Sequence, residues 1–433
     1  MKSFLENNKW VLIASVFFII WKFFLIDAFW KNGVYYEGLL DDKAIYLTHI
    51  ESVIHCPTLL CNDSMFNVHN YTWFEHLSWR VPLGEIANIF QLNANEVFHL
   101  SFYFGTILLL LVLIKFLKEF FETDQSLIAT NLFFLALFNG TGAYHGFFWV
   151  VPSFFSLLYL FLLIGILFEK NTHWKIHLLL LIPLSLFNHT ISLYLIFLSL
   201  PFAVLCAFFG YIFDKKSLDI IPIKRAVFAL LITAIFYIPA SFLAKGNPYG
   251  VESFGKQAII TAQEHSQEIP SKSEVLSPQK LLNNIQSLPG YKLVKSEYLN
   301  WVFLNWLMLI PFGIIFLLHI QHKQFKPLAF FLTSCSFTII SLINENAVRS
   351  LLVLWPATFM FFATGTVLAF RWMSERFHST KILYFLHFSL LMAVLLFSIL
   401  NMRFSYLIDK DSSVLPSEML PKSVINISSF SKQ

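Results

Sequence analysis

Apolar runs of about twenty residues recur along this 433-residue chain from one end to the other. A run of that length reads as a membrane-spanning helix. The runs fall at 10–30, 97–117, 126–142, 147–168, 175–188, 190–212, 226–244, 299–320, 327–343, 350–370 and 381–402. The segment from 175 to 212 is too long for one crossing, since about 38 residues at 1.5 Å each overrun a bilayer. Asn188-His189-Thr190 is its natural break. The expected fold is therefore all-α: a single polytopic transmembrane bundle of about eleven helices. Composition agrees, with only 13% charged residues where a soluble chain carries about 25%. The 51 phenylalanines suit lipid-facing and inter-helix packing. A net charge of +4, with no long basic run, zinc-type cysteine set or phosphate-cradling glycine loop, gives no sign of a nucleic-acid partner.

The short N-terminal stretch before Trp10 resembles the charged start of a signal peptide. However, bulky Trp21, Lys22 and Trp30 stand where a small-residue cleavage site would follow, so the first run is read as an uncleaved span. Lys and Arg in the short loops set the orientation. With the N-terminus inside, one side holds Lys115 and Lys118, Lys170 and Lys175, Lys215, Lys216, Lys224 and Arg225, Lys323 and Lys326, and Arg371, Arg376 and Lys381. On the other side the short turns 139–146 and 188–190 hold neither, and 344–349 holds only Arg349. This gives a cytoplasmic N-terminus and an extracytoplasmic C-terminus. The large outer segments are then 31–96, the mobile, proline-bearing loop 245–298 with short helical pieces, and the tail 403–433. The inner basic residues read as plain anchors.

The first outer loop opens with Gly38-Leu39-Leu40-Asp41-Asp42-Lys43-Ala44-Ile45-Tyr46-Leu47. Asp41 or Asp42 can cap a helix whose apolar face carries Ala44, Leu47, Ile50 and Ile54. A cap explains one aspartate better than two. A second amphipathic stretch runs from Trp79 to Phe90, and Cys56 and Cys61 are either a loop disulfide or two free thiols. Cys206 and Cys335 belong to core packing.

Other polar residues gather at span ends on the same outer side. His145 is either a turn residue or a site residue; His189 either bonds a helix end or serves a site. Glu345 and Arg349 are four apart and can pair. Yet an arginine entering an apolar span needs an anion, which favours anion binding at Arg349. Lys245 and Tyr249 open the large loop, Trp149 and Trp355 read as interface anchors, and Lys22 and Asp27 read as snorkelling to opposite ends of the first span.

This arrangement resembles the GT-C superfamily of integral-membrane glycosyltransferases. The residues that carry the resemblance are the acidic Asp41-Asp42-Lys43-Ala44-Ile45-Tyr46-Leu47 opening after span one and the second juxtamembrane helix at Trp79-Arg80-Val81-Pro82-Leu83. The Trp149-Val150-Val151-Pro152 helix start, the Asn188-His189-Thr190 turn, and Arg349 ahead of Trp355-Pro356 add to it. Many members carry Asp-Glu where this chain has Asp-Asp. The resemblance implies a sugar donor on a polyprenyl phosphate, a glycan, lipid or protein acceptor, and transfer on the outer face of a bacterial inner membrane, in cell-envelope polysaccharide biosynthesis. Asp41 or Asp42 would be general base or contact a divalent ion. Arg349, then Lys245, would meet the phosphate, and His189, His145, Glu345 and Tyr46 would complete the substrate site. A polymerase or ligase of polysaccharide repeat units, and a lipid or solute transporter, are the alternatives; the lack of an internal repeat, the odd span count and the unequal loops speak against the transporter.

Overall fold

The computed structural model describes residues 2–31, 40–55, 77–122, 124–137, 150–188, 191–214, 218–243, 285–299, 309–343 and 350–377. Among these the chain is all-helical. In order, the helices are α1 (Lys2–Lys31), α2 (Leu40–Ile54), α3 (Leu77–Phe90), α4 (Ala94–Phe121), α5 (Gln125–Ala136), α6 (Pro152–Phe168), α7 (Trp174–Leu186), α8 (Ile191–Asp214), α9 (Ile221–Leu243), α10 (Leu309–Gln321), α11 (Phe325–Ser341) and α12 (Leu351–Arg376). A short α-turn, Tyr291–Val294, runs into a π-helical turn, Lys295–Leu299. Helices occupy each expected apolar segment up to the tenth; the last, 381–402, lies outside the described residues, as do the 403–433 tail and most of 245–298.

Four described helices, Asn8–Asp27, Ala94–Phe121, Ile191–Asp214 and Leu351–Arg376, are long and apolar enough to cross a membrane, which marks the chain as a membrane protein. Gln125–Ala136, Pro152–Phe168, Trp174–Leu186, Ile310–Gln321 and Phe325–Ser341 are apolar but shorter. The length difference shapes the bundle. At 1.5 Å per residue the 28 residues of α4 reach about 42 Å, whereas the 13 of α7 reach only about 20 Å.

Local sequence explains the helix starts. Asn93 and Glu96 form a capping box, each side chain meeting the other's backbone N–H at 2.9 Å. Asp124 accepts from Leu127 N–H at 3.2 Å to start α5, and Pro152 starts α6, where its missing N–H costs nothing. Phenylalanine fills the centre: Phe116 meets Phe161 at 4.9 Å, and Phe120 lies on Phe202 at 6.0 Å. Thr333, Ser334 and Thr338 in α11 bond back to their own helix backbone, so these three hydroxyls need no water. Asn131 crosses from α5 to α12, donating to Thr364 Oγ1 at 3.1 Å.

Helices that follow one another in the chain from α4 to α9 alternate in direction, and side-chain pairings identify the two ends. Arg371 near the end of α12 meets Asp124 at the start of α5 with both carboxylate oxygens at 2.8 Å. At that same end Arg225 reaches the last carbonyls of α6, Lys326 donates to Glu119 O at 3.1 Å, Lys323 pairs with Asp214, and His177 Nδ1 lies 2.8 Å from Glu169 Oε1. Cations at helix C-termini complement the backbone dipole. These groups are therefore not the bare anchors the loops suggested: they tie helix ends together. The opposite end carries α2, α3 and the starts of α4, α6, α8 and α12.

Lys22 is a further departure. It does not snorkel; it is 1% exposed, with its ammonium 5.8 Å from the centre of the Phe18 ring. Its position on α1 puts it among Phe18, Leu25 and Ile26 on the face that packs on α5 and α4, while Asp27 is exposed. Trp355 makes a contact that its sequence neighbours do not show. It is half-buried, with its ring edge-on to Tyr298 at 4.9 Å. Cys206 and Cys335 are free thiols packed at the edge of the core, as expected.

Candidate functional site

Helix α2 has already begun at Leu40, so Asp41 and Asp42 stand in its first turn and not at the capping position ahead of it. Acidic residues in a first turn are favoured by the helix dipole. The helix packs on α3 and α4 through Tyr46, His49 and Ile50, all buried, with Leu47 and Ile54 half-buried beside them. Along the chain Asp42 is four residues, about one helical turn, ahead of Tyr46, and Asp41 is five.

The α2–α3 contact is close because of one glycine. A Cβ at Gly84 would sit 2.3 Å from Val53 Cγ1, and a β-branched valine has little room to turn away. Next to it, Trp79 is completely buried. Tyr46 packs edge-on to its ring at 5.3 Å, and Phe98 of α4 does so at 6.5 Å. Its indole N–H donates to the carbonyl of Val150 at 3.0 Å, just ahead of α6. Ser78 N–H reaches Phe187 O, at the end of α7, at 3.4 Å. The acidic helix is thus fastened, through α3, to the start of α6 and to the α7–α8 turn. Val150 itself seats deep because α4 offers Gly105 there; a Cβ at that position would lie 2.6 Å from Val150 Cγ2.

Beneath this contact is a buried polar group. Asn188 has no exposed surface; its Nδ2 donates to Pro152 O at 2.6 Å and to Ser156 Oγ at 2.8 Å. Ser192 donates to the same Ser156 hydroxyl at 2.8 Å. The first turn of α8 and the residue closing α7 are thereby locked onto the first turns of α6. Asn188 Oδ1 and Ser153 Oγ are buried with no hydrogen-bond partner among the described residues, and Val151 gives α6 no side-chain cap. An uncapped helix start carries the positive end of the helix dipole.

Of the site residues expected from sequence, Asp41, Asp42 and Tyr46 lie on α2, and Tyr46 is a packing residue against Trp79. His145, His189, Lys245, Glu345 and Arg349 lie outside the described residues, together with Cys56, Cys61, Trp149 and Tyr249. Their described neighbours can be located. Val150 and Asn188 are at the α3 contact. Ile343 and Ser350 flank the Glu345–Arg349 stretch at the same end of the bundle. There Gly290 N–H donates to Leu342 O at 3.0 Å and the Tyr298 hydroxyl lies 2.6 Å from Thr358 Oγ1. Among the described residues no three His, Cys, Asp or Glu side chains come together to hold a metal ion.

Two ionisable residues at this end were not singled out from sequence. His49 is 3% exposed on α2, and Arg80 is 6% exposed on α3 beside Trp79. The available signal was positional: each interrupts an amphipathic stretch next to the residues that form its buried face.

No protein-family model, no curated protein and no solved structure matches this chain.

Proposed function

We propose that the chain is a polytopic membrane glycosyltransferase of GT-C type. It moves a sugar from a polyprenyl-phosphate donor to a glycan, lipid or protein acceptor on the extracytoplasmic face of a bacterial inner membrane. The observation that carries the proposal is the fastening of the acidic helix α2 onto the polar start of α6 and the α7–α8 turn, at the end of the bundle opposite the Arg and Lys clusters. By the loop-charge rule the basic end faces the cytoplasm and the acidic helix faces outward.

In the reaction a carboxylate takes the proton from the acceptor hydroxyl as its oxygen bonds to the sugar's anomeric carbon. The bond from that carbon to the phosphate oxygen breaks, and the electron pair leaves with the lipid phosphate, inverting the centre. Of the two aspartates, Asp42 is assigned as base because it stands about one helical turn before Tyr46, the α2 residue that packs on Trp79. The growing phosphate charge calls for a cation, and arginine's planar fork suits it. Arg349, one residue before Ser350, keeps that role, and Arg80 is added as a second cation at the same end.

The test is transfer by purified protein from a polyprenyl-phosphate sugar. General-base removal costs about 10²–10⁴-fold, so Asp42→Asn should lose turnover on that scale while Asp41→Asn loses far less. Equal, wild-type turnover in both would remove the acid from the chemistry. Products extended by many units instead of one would make the enzyme a polymerase.

A further inference from the structure

The geometry points to Trp79 as the positioning residue that sets the acidic helix over the bundle. The inference rests on the glycosyltransferase proposal only for its activity readout. Trp79 touches no reacting atom. It touches three elements at once: α2 through the Tyr46 ring, α4 through Phe98, and the start of α6 through the indole N–H on Val150 O. Sequence separation makes that last bond informative, because residues 79 and 150 are 71 apart and the bond is buried at 3.0 Å. An indole carries a single donor, so its direction is fixed by the ring, and the ring is fixed by Tyr46 and Phe98. Asp42 is one helical turn from Tyr46. The seat of α2 over the start of α6 therefore runs through a two-step chain, Tyr46 to Trp79 to Val150.

A small error in this chain is expensive. Misplacing a catalytic group by about 1 Å costs about 10²-fold in rate. Binding of the donor by groups elsewhere at that end of the bundle need not change. The signature of a positioning role is thus a lowered kcat with an unchanged KM for the donor.

Two variants test it. Trp79→Phe removes the donor and some volume; β-(3-benzothienyl)alanine incorporated at position 79 keeps the two-ring shape and removes only the N–H. Spin labels at Ile89→Cys on α3 and Leu184→Cys on α7, both exposed in the native protein, report the separation of α3 from the bundle, with Cys56, Cys61, Cys206 and Cys335 all replaced by serine. The expected result is a narrow distance distribution in the parent that broadens or shifts in both variants. In the transfer assay kcat should fall about 10²-fold at constant donor KM. An unchanged distribution in the benzothienyl variant overturns the inference, as does a loss of activity that merely follows the loss of folded protein. If the parent transfers no sugar at all, the function proposed above fails, and the label distances alone decide the role of Trp79.

Discussion

Replacing Arg225 by methionine should destabilise the protein by about 3 kcal/mol. The arginine is 7% exposed and its Nη1 faces three carbonyls that end α6: Ile166 O at 2.7 Å, Leu167 O at 3.2 Å and Glu169 O at 2.7 Å. One nitrogen has two hydrogens, so this is two full bonds, one of them shared. Hydrogen bonds to a charged group contribute about 1.5–3 kcal/mol each, or about 3–6 for two. Stacking of the guanidinium 5.3 Å from the Trp174 ring adds about 0.5–1 kcal/mol. Removing the buried charge returns part of its desolvation cost, which brings the net to about 3 kcal/mol. At roughly 2 °C per kcal/mol, the low end suited to large chains, the unfolding midpoint in detergent should fall by about 6 °C. Arg225→Lys should recover little, because an ammonium cannot keep the flat stack on Trp174 and span three carbonyls. A methionine variant that unfolds with the native midpoint would refute this account, since it would mean that solvent or the neighbouring turn satisfies those carbonyls.

Other outcomes follow from the same packing. Gly84→Ala should loosen α2 from α3, seen as faster protease cleavage near α2; Val53→Ala in the same chain should reverse the effect by vacating the space 2.3 Å away. Asn188→Leu should lower the midpoint, because Pro152 O and Ser156 Oγ each lose a buried donor at about 1 kcal/mol. Asn188→Ser, which keeps a donor, should lose less. Asp124→Asn should weaken the hold of Arg371 on the start of α5, and high salt should narrow the difference from the native protein, as expected for a half-exposed ion pair worth no more than about 1 kcal/mol.

Much of the architecture was legible because helix length and apolar runs are local properties. The break at 188–190 fell where α7 gives way to α8, and the stretch from Trp79 to Phe90 is α3 nearly residue for residue. Residues whose fate depends on distant partners were less legible. Lys22 has a side chain long enough to snorkel, and nothing nearby in sequence says that its face of α1 packs on α5. Nothing beside Trp355 in sequence points to Tyr298, 57 positions earlier, which packs on it. Arg225, Lys326 and Arg371 register in sequence only as charge, while their partners are carbonyls and carboxylates on other helices. Trp79 was visible as an amphipathic helix residue; its hydrogen bond across 71 positions was not.

The brevity of α7 has a consequence for the surrounding lipid. Its outward side chains, Ile176, Leu179, Leu180 and Leu184, are exposed along a helix only about 20 Å long, against a hydrocarbon slab of about 30 Å. Tilting such a helix would only shorten its reach further. Where a helix this short faces lipid, the acyl chains beside it compress and the headgroups draw inward. Beside α7 the headgroup plane then lies closer to the level of Asn188 than it does beside the longer α4 and α8.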